Sequence, residues 1–385
     1  MIQNKMNNLQ SPSKKKRFLI GQLGSFGDCL YATAVARQIK NDYPDCHLTW
    51  AIGSIYRTIL EGNPYIDEIW EFPLSSRNDL LDLWQKFEDE ANERKKRGDF
   101  DEIFLTQVFP NNLKNFDGTL RSSIFRAYNK PITVPVAPVI RLSPDEIENV
   151  RFFAESHHLK ERKQIILFEC SPKSGQSFVT LDFARAVSKN LIEKNPDISI
   201  IISTNEPVDS TDRRIIDGSV LTFRENAELT KYCTLLVGCS SGISWLCTSD
   251  WAKPLPMVQL LKKETCMYAS FVCDHTYHGL STDSIIEMTE CSANTLSQCI
   301  EDILNENFGI AHQKYHEKIG VSFKYYADVM APLLFQKGKS RDLISSLKCM
   351  IKKYGFHIQL FSCCAVSLVK SQMSRIQTFY LKSKF

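Results

Sequence analysis

No run of the chain approaches the roughly 20 apolar residues of a membrane-spanning helix. The N-terminus, Met1 to Arg17, is polar, ends in Lys14-Lys15-Lys16-Arg17 and has no apolar segment of signal-peptide length behind it, so secretion is not expected. No two cysteines stand in a Cys-x-x-Cys arrangement. The thirteen are scattered and odd in number, with Cys363-Cys364 a vicinal pair, which argues against a structural metal site and suits a reducing cytoplasm. No internal repeat of short fixed period is present. Residues 1–16 read as a disordered leader, and no nucleic-acid partner is expected.

What is present is a chain of 385 residues with 43% hydrophobic content, enough for the cores of two ordinary soluble domains. The net charge of +3 conceals an asymmetry. Residues 311–385 hold 13 of the 47 Lys and Arg but only 3 of the 44 Asp and Glu, a balance of +10, leaving −7 for residues 1–310. This segment reads as a basic helical extension. Its apolar stretch Phe356 to Val369 is flanked by Lys352, Lys353 and Lys370 and suits an anionic membrane surface. Packing of that helix on its own protein is the competing reading.

Strand-like runs alternate with helical ones, the pattern of an α/β protein with parallel sheets. In the first half, strands are expected at Phe18 to Leu23, His47 to Ile52, Glu68 to Phe72 and Glu102 to Val108, with a further apolar run at Val134 to Ile140. Ser143-Pro144-Asp145-Glu146 is a capping box with proline at the first helical position, so a helix should follow to about His158. After the charged break Lys160-Glu161-Arg162-Lys163 a second series begins. Its strands are expected at Gln164 to Cys170, Ile198 to Ser203, Ser219 to Phe223, Thr234 to Val237 and Met257 to Leu261, with helices at Leu181 to Glu193, Ala227 to Cys233 and Ala293 to Asn307. The division is therefore a first domain, 17–160, a second, 161–310, and the extension.

Two loops carry the chemistry. The first, Gly21-Gln22-Leu23-Gly24-Ser25-Phe26-Gly27-Asp28, follows a strand and opens a helix, and its glycines permit sharp turns, positive φ and close approach of a ligand. Asp28 at the helix start is either an N-cap or a carboxylate at the mouth of a crevice. The second, Gly238-Cys239-Ser240-Ser241-Gly242, has the same strand-to-helix setting.

The string Ile20 to Asp28, the His47 to Gly53 strand and Leu60-Glu61-Gly62-Asn63-Pro64-Tyr65-Ile66-Asp67-Glu68 resemble the GT-B glycosyltransferases of family 9, the ADP-heptose:lipopolysaccharide heptosyltransferase group. The resemblance implies two Rossmann-like domains with parallel sheets facing across a cleft. It implies an inverting, metal-independent transfer from a nucleotide-diphosphate sugar to a lipopolysaccharide-type or other glycan acceptor, with no cofactor, in the cytoplasm or at the inner membrane face. Asp28 would be the catalytic base, with Gly24, Ser25 and Gly27 forming its loop on the acceptor side. Lys173 and Ser174 would meet the diphosphate, Glu206 the ribose, and Ser240, Ser241, Gly242 and Ile243 would cradle the phosphates. The chain departs from the family's Asp-Thr-Gly loop and following His by carrying Ser240-Ser241-Gly242 and Trp245. That departure keeps open a catalytically silent nucleotide-binding protein of the same fold.

An NAD(P)-dependent oxidoreductase is the alternative from another class. The Gly-x-x-Gly-x-x-Gly spacing and the absence of an acidic residue at the end of the second strand count against it. Among further candidates, His275 and His278 lack a third ligand at zinc spacing, Asp117-Gly118 is a turn signal, and Arg121 and Arg126 suit either an anionic acceptor or ordinary surface charge.

Overall fold

The computed structural model of the chain describes residues 15–109, 111–170, 175–263, 266–320, 322–335 and 339–382. The expected disordered leader lies, apart from Lys15 and Lys16, outside the described residues, as do Lys173 and Ser174.

Four strands, β1 (Arg17–Gly21), β2 (His47–Gly53), β3 (Glu68–Phe72) and β4 (Glu102–Leu105), form a parallel sheet in the order β3-β2-β1-β4. Six more, β5 (Gln164–Glu169), β6 (Ile198–Ser203), β7 (Ile215–Asp217), β8 (Leu235–Gly238), β9 (Met257–Leu261) and β10 (Ile285–Thr289), form a second parallel sheet in the order β10-β9-β8-β5-β6-β7. In each sheet the order in which the chain adds its parallel strands reverses once, between β1 and β4 and between β5 and β8. Such reversals open a crevice at the carboxyl ends of the strands, which is where both glycine loops lie. The central strands are apolar along nearly their whole length because helices cover both faces.

The helices are α1 (Phe26–Asp42), α2 (Leu80–Lys96), α3 (Arg121–Arg126), α4 (Pro144–Ser156), α5 (Leu181–Lys194), α6 (Glu225–Leu229), α7 (Gly242–Leu246), α8 (Cys266–Ala269), α9 (Phe271–Tyr277), α10 (Ala293–Asn305), α11 (Phe308–Tyr315), α12 (Phe323–Met330), α13 (Ser340–Tyr354) and α14 (Ile358–Lys382). The expected capping box of α4 forms, with the Ser143 and Glu146 side chains each bonding the other's backbone. Helix α1 is buried continuously from Asp28 to Ile39, because it meets α3 on one side and α7 of the second domain on another.

The regular structure departs from the sequence pattern at three places. The run Val134 to Ile140 is not a strand: the N–H groups of Thr133 and Val134 bond the Gln38 side chain, that of Val139 bonds Thr33 Oγ1 and that of Ile140 bonds Asp250. With side chains as partners, the backbone needs no ladder. The strand expected at Ser219 to Phe223 lies earlier, at Ile215–Asp217. Ser219 and Thr222 instead bond the carboxylates of Asp217 and Glu225 in a turn. Strand β10 adds an edge that no sequence signal announced.

The extension is part of the core. Phe323, Tyr326, Met350 and Leu360 are buried in the same apolar cluster as Phe116 of the first domain. Ser346 Oγ donates to the Phe116 carbonyl at 2.7 Å and Lys353 Nζ to Thr119 Oγ1 at 2.7 Å. Three arginines tie the parts across the cleft's flanks: Arg37 to Asp250 at 2.8 Å, Arg224 to Glu146 at 2.7 Å and to the Thr58 carbonyl at 2.6 Å, and Arg121 to Asp274 at 3.0 Å.

Candidate active site

The two glycine loops face each other. A side chain added at Gly242 would come within 3.2 Å of the Phe26 Cβ, and the Phe26 ring lies 4.5 Å from that of Phe223 in the second domain. Between the domains is a cavity of about 390 Å³. Ser25, Phe26, Gly27, Asp28, Tyr31, Tyr56 and Arg77 line it from the first domain, and Asn205, Ser240 to Ile243, Trp245 and Tyr268 from the second.

Ser25 is the N-cap residue of α1, so Asp28 stands in the first helical turn and is not itself the cap. The glycines act through space and not through positive φ, which none of Gly21, Gly24 and Gly27 adopts. At Gly21 a Cβ would lie 2.6 Å from the Phe87 ring, and at Gly24 it would collide with Tyr56. Gly27 faces open space. Gln107 fixes the loop by accepting from Gly24 N and Gln22 Nε2, both at 3.0 Å.

Asp28 is 8% exposed. Burial pushes its carboxyl up to about 7, with the Arg77 guanidinium pulling the other way. A carboxylate in that range exchanges a proton readily near neutral pH, as a general base requires. Tyr31 and Tyr268 are held well above the ordinary phenol range by burial, so both remain O–H donors in the cavity wall.

The second loop is shaped from below by Glu169, at the end of β5. Its carboxylate accepts from Cys239 N at 2.9 Å and from the hydroxyls of Ser241 and Ser244. Ser240 N donates to Gln259 Oε1 at 2.8 Å and Ser240 Oγ to the Ala269 carbonyl, with Ser240 at φ 49°. Both serine hydroxyls, expected to bond a ligand, here donate to protein acceptors outside the loop, Ser240 to the Ala269 carbonyl and Ser241 to Glu169. Ser241, Gly242 and Ile243 remain at the cavity wall, half-buried.

Of the other expected residues, Glu206 is exposed and does not line the cavity, whereas its neighbour Asn205 does. Arg121 and Arg126 are not surface charges. Arg121 is 2% exposed and Arg126 bonds buried Asp117, which Lys353 also approaches at 3.3 Å. Asp117 also receives Thr119 N, closing the expected turn with Gly118 at φ 86°. Burial first and the Arg121 charge second lower His275 to about 4 and His278 to about 3, keeping both neutral. Sequence reasoning missed Glu169, Arg77, Tyr56 and Tyr268. Only Glu169 left a trace, as the acid that ends an apolar strand.

Two facing parallel-sheet α/β domains with a site in the cleft define the GT-B architecture. No protein-family model matches the chain, and no curated protein does. Among solved structures, it is similar to the glycosyl transferase family 9 protein of Veillonella parvula at 14% identity and a TM-score of 0.53, over 92% of this chain and 97% of that one. It is also similar to the E. coli ADP-heptose lps heptosyltransferase II at 13% identity and a TM-score of 0.50, over 75% of this chain and 98% of that one. At these identities the likeness is one of fold alone.

Proposed function

We propose that this chain is a glycosyltransferase that moves a sugar from a nucleotide-diphosphate sugar to a hydroxyl of a glycan or lipid-linked acceptor, with inversion and without a metal ion. The observation that carries the reading is Asp28, a buried carboxylate poised near neutrality, in one cavity with the second domain's loop. The acceptor oxygen forms its bond to the anomeric carbon as its proton passes to Asp28. The bond from that carbon to the diphosphate breaks, and the nucleoside diphosphate leaves with the electron pair. Among the described residues lining the cavity Asp28 is the sole acid, the one carboxylate placed to take the acceptor's proton.

In this reading the main-chain N–H groups of Ser241, Gly242 and Ile243, with Lys173 and Ser174, receive the departing diphosphate, and Glu206, beside cavity-lining Asn205 though not itself in the wall, is the residue assigned to the ribose. Gly24, Ser25 and Gly27 shape the acceptor side. The fold neighbours put ADP and heptose first among donors to test and a lipopolysaccharide-type acceptor first among acceptors. The setting we propose is the cytoplasm, in contact with the inner face of a membrane. Among the described residues no helix is long and apolar enough to cross one.

The donation of both serine hydroxyls to protein acceptors, Ala269 and Glu169, favours a second reading, a nucleotide-binding protein without transfer activity. A thermal-shift screen with ADP, GDP, UDP, CMP and NAD, followed by donor turnover, separates the possibilities. A base-selective diphosphate response with turnover is expected. Stabilisation by NAD alone would overturn the proposal, and a diphosphate response without sugar release for any donor would leave the silent binder.

A further inference from the structure

Helix α14 has two different faces. Its inner face is seated: Leu360 is fully buried, Cys363 and Cys364 pack against the core, and Ser367 Oγ donates to Asp328 of α12. At 100° per residue the opposite side collects Ile358, Phe361, Val366, Val369 and Met373, and all five are exposed, from 40% for Phe361 to 80% for Ile358. Exposed Phe356 precedes them, 5.0 Å from Phe361 between ring centroids. Single apolar residues on a surface are ordinary, but a continuous stripe along a helix whose other side is already packed marks a contact surface.

Charge selects the occupant. No acidic residue follows Asp342, whereas Lys348, Lys352, Lys353, Lys370, Arg375, Lys382 and Lys384 do. Lys353 is used inside the protein beside Asp117, but Lys348, Lys352 and Lys370 are exposed. An apolar stripe accompanied only by cations is complementary to a surface that is both greasy and negative. A second copy of the chain would bring like charges together.

We propose that the outer face of α14 docks on an anionic lipid bilayer, the helix lying in the plane of the surface with Ile358, Phe361, Val366, Val369 and Met373 in the headgroup region. The stripe spans 16 residues from Ile358 to Met373, about 22 Å at the helical rise, suited to lying along an interface. This deepens the membrane setting of the proposed function and is independent of the transfer chemistry.

Co-sedimentation of the full chain with phosphatidylcholine vesicles, with and without phosphatidylglycerol, tests it. Binding should be about tenfold or more tighter with the anionic lipid and weaken with added salt. The double variant Val366→Asp, Val369→Asp should lose that binding by about tenfold or more while keeping its melting temperature, since both positions are solvent-facing. Lys352→Glu with Lys370→Glu should lose the anionic preference. Binding unchanged by the Asp variant, or absent at low salt, would overturn the proposal. So would a self-association, seen by sedimentation, that the Asp variant abolishes without any vesicle binding. Because the readout is lipid binding, its failure leaves the proposed catalysis standing, and loss of turnover in the cleft leaves this surface standing.

Discussion

Arg121 of the first domain lays its guanidinium over the indole of Trp245 of the second, 4.7 Å from the ring centroid. The same guanidinium lies 4.9 Å from the Tyr31 ring and 3.0 Å from Asp274. The Asp274 contact is close but not aligned as a hydrogen bond, and burial outweighs the cation, holding the Asp274 carboxyl above its usual range. Trp245 in turn stacks on Phe271, with centroids 3.6 Å apart and planes 10° from parallel. Tyr31 and Trp245 also line the cavity, so the wall of the candidate active site and the domain contact are built from the same side chains. Closure of one domain on the other therefore acts directly on the site.

Replacing Trp245 by Ala should destabilise the protein by about 3–5 kcal/mol, the range for a large buried aromatic. Denaturant unfolding measures it. A loss under about 1 kcal/mol would mean that the stack contributes little.

Asp28→Asn should reduce turnover by about 100- to 10,000-fold, the usual contribution of a general base, while nucleotide-induced thermal shifts persist. Native turnover should rise with pH and reach half its plateau near 7, where Asp28 gives up its proton. Stability should show the same group. Folding raises the carboxyl from its ordinary 3.8, so its favourable contribution is complete below about 3.8 and is lost as pH rises through about 7. The Asn variant should therefore melt above the native protein at pH 8 but not below pH 4. Identical melting curves at both extremes would remove Asp28 from this role.

Arg77→Gln removes the cation that lowers Asp28, so the midpoint of the pH–rate profile should move upward. A midpoint that stays in place or falls would place the controlling charge elsewhere. In parallel, Lys173→Ala should raise the dissociation constant for nucleoside diphosphate, and an unchanged constant would assign the phosphate-binding cation to another residue.

Glu169→Gln leaves one carbonyl oxygen where two carboxylate oxygens now accept from Cys239 N, Ser241 and Ser244. Removing an acceptor from a buried network costs about 1–3 kcal/mol. Nucleoside diphosphate affinity should fall roughly tenfold, equivalent to ~1.4 kcal/mol, because the loop that faces the ligand loses its support. The pH midpoint of turnover should not move. A shift in that midpoint with unchanged affinity would contradict a supporting role for Glu169.

Much of the architecture was legible because local signals are strong where hydrogen bonding is regular. Glu68 to Phe72 and Ile198 to Ser203 form strands at the expected bounds, and Ser143 with Glu146 announces its helix in four residues. The apolar run Val134 to Ile140 forms no strand because its N–H groups are met by Gln38, Thr33 and Asp250, residues distant in the chain. At Arg121, apparent exposure in sequence likewise becomes a buried contact between domains.

The amino-acid order by itself determined the alternation of strands and helices, the two glycine bends and the cationic character of the last segment, since each follows from spacing and composition within a short window. Only the tertiary structure decided that Glu169 holds the second loop, that Arg77 stands near Asp28, and that the basic extension has an inner face in the core and an outer one in solvent. The physical reason is that burial and charge act through space. A carboxyl is moved to neutrality by what surrounds it, and its surroundings here come from segments far apart in the chain.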